Sequence, residues 1–192
     1  MAILSSEILF LGMQFIVYDI EATCWDGRPP GLVQETIEIG ALKLNAYGEV
    51  ISQFSRLIRP ELHPQLSLFC KKLTQIDQVD INRSKPFPDV IESFKDWIDI
   101  WEDEYLLCAW GNFDQIQLQR DCYLHRLEDE WLDPFINLKR QYQELRKLTK
   151  PAGLQKTVSR EGFEFTGQLH SALADAENLT KVFVKLRDMW RY

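Results

Sequence analysis

Apolar and polar positions follow two rhythms along this chain. Phe15-Ile16-Val17-Tyr18-Asp19-Ile20-Glu21 is apolar at nearly every position until its end, the pattern of a strand buried on both faces of a sheet. Side chains two apart on a strand share a face, so Asp19 and Glu21 project together with Phe15 and Val17, while Ile16, Tyr18 and Ile20 line the other face. Asp26-Gly27-Arg28-Pro29-Pro30-Gly31 reads as a loop. Thr36 to Leu44 and Val50 to Ile58 are further β-rich runs, and Asn45-Ala46-Tyr47-Gly48-Glu49 joins them as a hairpin loop with glycine at a tight position. Three antiparallel strands are thus predicted to open the fold.

After Pro60 to Pro64 the rhythm becomes helical. Leu66 to Leu73 is a short helical candidate, and Thr74-Gln75-Ile76-Asp77 begins another. Following Pro86, the residues Phe87, Val90, Ile91, Phe94, Trp97, Ile98 and Trp101 recur at helical spacing. Asp89, Glu92, Asp96, Asp99, Glu102, Asp103 and Glu104 occupy the remaining surface, as expected of a solvated face. Tyr105 to Trp110 is a buried-strand candidate stopped by Gly111, and Asn112-Phe113-Asp114 leads into a helix with Ile116, Leu118, Cys122 and Leu124 as its apolar positions. Asp114 therefore sits at a helix start. Pro134 to Asn137 is a short fifth strand, Leu138 to Leu148 a helix closed by Lys150-Pro151-Ala152-Gly153, and Leu154 to Arg160 a further short helix.

The last helix runs from about Ser171 to Met189, with Ala172, Ala176, Leu179, Phe183, Leu186 and Trp190 in one stripe. Asp175 lies about 60° from the centre of that stripe, which makes it partly buried, and His170 stands at the N-terminal edge. No repeat or low-complexity segment divides the chain. A single domain over residues 13–192 is expected, with residues 1–12 as an N-terminal extension, since Met13 immediately precedes the first strand.

The 192 residues are 45% apolar and 12% aromatic, which places the chain among globular proteins and away from disordered ones. Cys24, Cys70, Cys108 and Cys122 are scattered without a zinc-site spacing and read as reduced, mostly buried thiols. No run is long enough to span a bilayer and the N-terminus lacks a basic region, so a soluble, cytoplasmic protein is expected. The net charge of −7 argues against a polyanionic partner, but its distribution does not. From Lys139 to Arg160 there are seven basic residues and one acid, Glu144, so this stretch carries 7 − 1 = +6. It is a candidate phosphate track, the alternative being ordinary exposed charge.

Four acids stand out by position: Asp19 and Glu21 at a strand end, Asp114 at a helix start, and Asp175 on an apolar helix face. Asp114 alone would pass as an N-terminal helix residue, Asp175 as half of an ion pair, and His170 as a loop histidine. The paired acids are harder to dismiss, because burying like charges together costs several kcal/mol unless a cation intervenes.

Together these segments resemble the DEDD superfamily of 3′–5′ exonucleases. Asp19-Ile20-Glu21-Ala22-Thr23-Cys24-Trp25 is similar to its first motif and Trp110-Gly111-Asn112-Phe113-Asp114 to its second. His170-Ser171-Ala172-Leu173-Ala174-Asp175 is similar to the third motif of the histidine-containing, DEDDh, subtype. Arg59-Pro60, Leu66-Ser67-Leu68-Phe69-Cys70-Lys71-Lys72-Leu73-Thr74 and Ile136-Asn137-Leu138-Lys139 extend the resemblance to the branch that trims short interfering RNA duplexes, histone messenger RNA stem-loops and ribosomal RNA ends. Gln75 departs from that branch, which usually has glycine after Leu-Thr; this bears on a turn near the substrate.

The resemblance implies a ribonuclease H-like α/β domain, a mixed five-stranded sheet flanked by helices, that hydrolyses phosphodiesters from a 3′ end with two divalent cations, Mg²⁺ or Mn²⁺. Oxygen ligands favour these ions over zinc. By resemblance, Asp19, Glu21 and Asp175 bind the cation that carries the attacking water, Asp19 bridges to the second, Asp114 holds that second ion, and His170 is the general base. Ala22, Thr23, Trp25, Trp110, Asn112, Lys147 and Lys150 are the substrate-binding candidates, with Trp25 or Trp110 placed to stack on a terminal base. The expected substrate is RNA rather than DNA, with no membrane partner. A DNA-directed proofreading exonuclease and a catalytically idle nucleic-acid-binding module are the rival readings.

Overall fold

Strand β1 (Gln14–Ala22) lies inside a six-stranded sheet and carries the acid pair at its C-terminal end. The computed structural model describes residues 12–192 apart from Arg28 and Asp103. The extension expected at residues 1–12, Gly12 excepted, and the surface acid Asp103 lie outside the described residues. Strands β2 (Thr36–Leu44) and β3 (Val50–Arg59) follow as an antiparallel hairpin, and β2 also pairs antiparallel with β1. Gly48 closes the hairpin loop with φ of 81°, a left-handed conformation open to glycine at little cost. Strand β4 (Lys85–Pro86) adds a two-residue edge beyond the five strands expected from the sequence. Strands β5 (Tyr105–Ala109) and β6 (Phe135–Asn137) extend the other side, β5 parallel to β1 and β6 parallel to β5. The order is β4-β3-β2-β1-β5-β6.

Seven helices are described: α1 (Leu68–Thr74), α2 (Gln78–Arg83), α3 (Phe87–Ile98), α4 (Phe113–His125), α5 (Leu138–Leu145), α6 (Leu154–Arg160) and α7 (Ala172–Lys185). The two faces of β1 go to two cores. Ile16, Tyr18 and Ile20 pack with Phe87, Ile91 and Phe94 of α3 and Leu118 of α4. Phe15 and Val17 pack with Leu138 and Tyr142 of α5 and with Leu179 and Phe183 of α7. A smaller cluster of Ile37, Leu66, Cys70, Ile76 and Ile81 seats α1 and α2. Because β1 and β5 are parallel, Asp19 and Glu21 at the end of one and Asp114 just past the other emerge on the same side, where open α/β sheets place their ligands.

Three expectations about apolar residues fail. Helix α3 stops at Ile98, where Asp99 takes a left-handed φ of 67°, so Trp101 falls beyond it and is 77% exposed. Ile116 and Leu124 are exposed too, although the sequence counts them as core positions of α4. The inward face of α4 holds Asp114, Gln117, Leu118, Asp121 and Cys122 instead. Asp121 accepts hydrogen bonds from the backbone N–H (2.9 Å) and the hydroxyl (2.5 Å) of Thr36, and the Gln117 side chain donates to the carbonyl of Gln34 (2.8 Å). These satisfied polar contacts outrank hydrophobicity in setting the helix rotation. Helix α7 ends at Lys185, short of the expected Met189, and a 3₁₀ turn over Arg187–Met189 finishes the stripe with Leu186 and Trp190 still buried.

Candidate active site

The site is built where β1, β2, α4 and α7 meet. Asp19 is in register with Gly40 of β2, and Glu21 with Glu38. A Cβ on Gly40 would lie 2.1 Å from the backbone nitrogen of Leu173, so the missing side chain admits the first turn of α7 onto the sheet opposite Asp19. Glu38 accepts a hydrogen bond from the Ala172 N–H at 3.0 Å and holds that helix end. Asp175 follows on α7. Asp114, buried at the start of α4, accepts from the Ile20 N–H at 3.3 Å, which ties motif two directly to β1.

His170 precedes α7 with φ of 62° and is exposed, its Nδ1 lying 3.9 Å from Glu21 Oε1. One donor atom each from Glu21, His170 and Asp175 fall within 4.8 Å of one another. The loop carrying His170 is fastened twice. Buried Asn178 of α7 accepts from the Thr166 N–H and donates back to its carbonyl, and Gln168 donates to the Thr74 carbonyl at the end of α1.

The electrostatics express crowding of like charge. Burial, then Asp114, Asp175 and Glu21, push Asp19 well above the ordinary carboxylate range. Glu21 is pushed up to about 8 by burial and by Asp175 and Glu38. Burial raises Asp114 to about 6, against the hydrogen bond from Ile20 and the nearby Lys139. Burial raises Asp175, with His170 opposing. Carboxylates that repel one another this strongly are held together at neutral pH by a cation or by protons. The donors are hard oxygens, the set that suits Mg²⁺ or Mn²⁺, so Asp19, Glu21, Asp114 and Asp175 fit divalent ions.

The seven substrate-binding candidates divide. Ala22 and Thr23 are buried, and the Thr23 hydroxyl accepts from the Glu35 N–H at 2.9 Å, so these two shape the loop after β1 rather than face outward. Trp25 is half-buried with its ring edge-on to His63 at 5.1 Å. Trp110 donates from its indole nitrogen to the Ala152 carbonyl (3.1 Å) and packs on Tyr142, pinning the loop after Lys150 beside the end of β5. Asn112 is exposed and accepts from the Asn137 side chain at 2.6 Å. Lys147 and Lys150 are exposed. Within the basic stretch, however, Arg146 is bound to Glu161 at 2.7 Å. That acid lies one residue past the segment counted in the sequence, so this arginine is a structural partner and not part of a free track.

Sequence reasoning missed Glu38, Asn178 and Gln168, and gave Lys139 no place near Asp114. Only Glu38 left a signal, a charge within the apolar run Thr36-Ile37-Glu38-Ile39. All four thiols are free, three buried and Cys24 half-buried, as expected.

The profile of the exonuclease family matches residues 16–183. The chain belongs to that family. It is 32% identical over 178 residues to human 3′-5′ exoribonuclease 1, covering 88% of this chain and 51% of the relative. It is 29% identical over 170 residues to the probable 3′-5′ exonuclease KapD of Bacillus subtilis, covering 88% of this chain and 82% of that one. The nuclease domain of 3′hExo, a DEDDh family member bound to rAMP, superposes with a TM-score of 0.83 at 31% identity, covering 91% of this chain and 92% of that one. A full-length 3′-exonuclease structure also gives 0.83, at 31% identity over 91% of this chain and 81% of the other. The match places this exonuclease chain in the DEDDh branch, and that branch implies divalent metal ions. The chain spans about half the length of the human exoribonuclease it matches. Among the described residues, no helix is long and apolar enough to cross a membrane.

Proposed function

We propose that residues 13–192 form one exonuclease domain, preceded by an extension at 1–12, that hydrolyses RNA or short 3′ overhangs from the 3′ end and releases nucleoside 5′-monophosphates in the cytoplasm. The observation that carries the reading is the convergence of four mutually repelling carboxylates, Asp19, Glu21, Asp114 and Asp175, beside an exposed histidine 3.9 Å from one of them. The relatives' names, exoribonuclease and 3′-exonuclease, support the same direction and sugar.

In this reading Asp19, Glu21 and Asp175 hold one Mg²⁺ or Mn²⁺ ion, and Asp19 and Asp114 hold a second. Divalent ions held by these carboxylates would supply Lewis-acid activation of water and offset the charge that builds on the departing oxygen. His170 takes the proton of the attacking water; its exposed position suits a base that must exchange that proton with solvent. A new P–O bond forms, the bond to the 3′-oxygen of the preceding nucleotide breaks, and that oxygen takes a proton from solvent. Lys139, close enough to stabilise the Asp114 carboxylate, adds positive charge where the phosphate enters. Lys147 and Lys150 remain exposed to meet the backbone.

Digestion of 5′-labelled and 3′-labelled single-stranded RNA, single-stranded DNA and overhanging duplexes, with Mg²⁺, with Mn²⁺ and with chelator, tests this. The expected result is a ladder shortening from the 3′ end, faster on RNA, that chelator abolishes. Metal-independent cutting, internal products or loss from the 5′ end would overturn it, and faster digestion of DNA would reassign the substrate to the proofreading type.

A further inference from the structure

Two of the four thiols meet where the loop after β1 packs on α1. Cys24, in that loop, is half-buried, while Cys70 of α1 is fully buried. Both belong to the small cluster that seats α1 and α2, with Cys24 packed against it. The Ser67 hydroxyl joins their backbones: it donates to the Cys24 carbonyl at 2.6 Å and accepts from the Cys70 N–H at 3.0 Å. The Cys70 sulfur lies 3.8 Å from the Ala22 carbonyl, against the chain that leads to Cys24. Cys122 and Cys108 are buried elsewhere, one in each of the two main cores.

The sulfurs themselves interact. The Cys24 thiol donates a hydrogen bond to the Cys70 sulfur, which holds Cys70 down to about 7 and pushes Cys24 up. Thiolate character and a route to solvent are what make a cysteine oxidisable. Cys70 contributes the first and half-exposed Cys24 the second. Neither thiol takes part in the proposed hydrolysis.

We infer that Cys24 and Cys70 form a thiol pair that a peroxide oxidant closes into a disulfide, and that closing it slows the exonuclease. The link itself is independent of the exonuclease reading above; its consequence rests on that reading. In the first step the Cys24 sulfur, as thiolate, attacks one oxygen of hydrogen peroxide. The O–O bond breaks, Cys24 becomes a sulfenic acid, and the hydroxide released takes up the thiol proton as water. The Cys70 sulfur then attacks the Cys24 sulfur, the S–O bond breaks, and the second hydroxide leaves with a proton as water. Two thiols are oxidised to one disulfide while one peroxide is reduced to two waters.

A disulfide holds its sulfurs about 2.05 Å apart, well inside the separation of two hydrogen-bonded thiols. Cys70 is anchored in its cluster, so the segment Thr23-Cys24-Trp25 is drawn inward. That segment begins two residues past Glu21, and a misplacement of about 1 Å can cost about 10²-fold in turnover.

The test treats the metal-free protein with hydrogen peroxide and quenches with catalase. One portion is alkylated for peptide mass mapping, and the rest is assayed with Mg²⁺ on single-stranded RNA and DNA. Wild type should give a peptide linking Cys24 to Cys70, lose about ten- to one-hundred-fold in rate, and recover with dithiothreitol. Cys24→Ser should start near the wild-type rate, form no link and keep its rate after peroxide. Cys70→Ala should form no link either, and Cys24→Ser carries the comparison if that buried variant fails to fold. A wild type without the linked peptide, a linked protein of unchanged rate, or an equal loss in Cys24→Ser would each overturn the inference. If reduced wild type digests neither RNA nor DNA, the exonuclease reading fails separately. The mass map then still decides the link, and the Mg²⁺ increment in Tm decides its reach: a smaller increment in the linked protein supports it, and an unchanged one overturns it.

Discussion

Glu21 and Glu38 face each other across the β1–β2 ladder, two carboxylates in direct register. Glu38 is occupied by the Ala172 N–H at the start of α7, while Glu21 turns to His170. One position along, Asp19 faces Gly40, whose bare Cα receives the backbone of that same helix turn. Strand β2 therefore sets where α7 delivers Asp175, although it contributes no residue to the proposed chemistry.

Gly40→Ala tests that arrangement. The added Cβ would meet backbone atoms of Ala172 and Leu173 at 2.1–2.4 Å, with no flexible side chain to give way. A loss of about 1–3 kcal/mol is expected from overpacking, together with a fall in turnover of about 10²-fold as Asp175 and His170 shift. Urea unfolding and single-turnover kinetics read the two effects, and a stable, fully active variant would refute the packing argument.

The acid cluster should make the metal-free fold sensitive to rising pH. Glu21 is raised from 4.5 to about 8 and Asp114 from 3.8 to about 6. Between those values the folded state keeps protons that the unfolded state has lost, so this contribution is fully present below the ordinary carboxylate range and is lost as pH rises through about 8. Thermal unfolding with chelator should show Tm declining between pH about 5 and about 8, and Mg²⁺ should restore more of it at the upper end. A metal increment independent of pH would contradict the assignment.

Asp19→Asn should abolish hydrolysis, by about 10³-fold or more, raise the metal-free Tm by removing a repelling charge, and erase much of the Mg²⁺ increment. His170→Ala should instead lower turnover by about 10²–10⁴-fold while Mg²⁺ still stabilises the fold. Calorimetry alongside steady-state rates separates a ligand from a base. Near-wild-type turnover in either variant would remove that residue from the mechanism.

Gln75 caps α1 with φ of 59° and donates its N–H to the Lys71 carbonyl. This left-handed conformation is one that glycine adopts at least cost. Gln75→Gly should stabilise the protein by about 0.5–1 kcal/mol, a rise in Tm of about 1–4 °C, measurable by differential scanning fluorimetry. A fall in Tm would show that the glutamine side chain makes a compensating contact.

Arg146 and its neighbour Lys147 should respond in opposite ways. Arg146→Ala breaks the bond to buried Glu161, which also accepts from the Tyr142 hydroxyl at 2.7 Å, and should cost about 2–3 kcal/mol. Neutralising Lys147 and Lys150 should leave the unfolding midpoint in place and weaken RNA binding with a shallower salt dependence. An unchanged salt slope would return both lysines to ordinary surface.

Strand β1, the hairpin of β2 and β3, and the stripe of α7 were legible in the sequence because each repeats a period that burial enforces. The acid pair was legible because two carboxylates ending an apolar strand demand an explanation from electrostatics alone. The rotation of α4 was not, since its inward face is fixed by Thr36 binding Asp121, a partner 85 residues away. Glu38, Gly40, Asn178 and the capture of Arg146 by Glu161 were hidden for the same reason. Periodicity reports what one segment does with its own residues; which helix end meets which strand, and which cation is already taken, are decided only when distant segments pack.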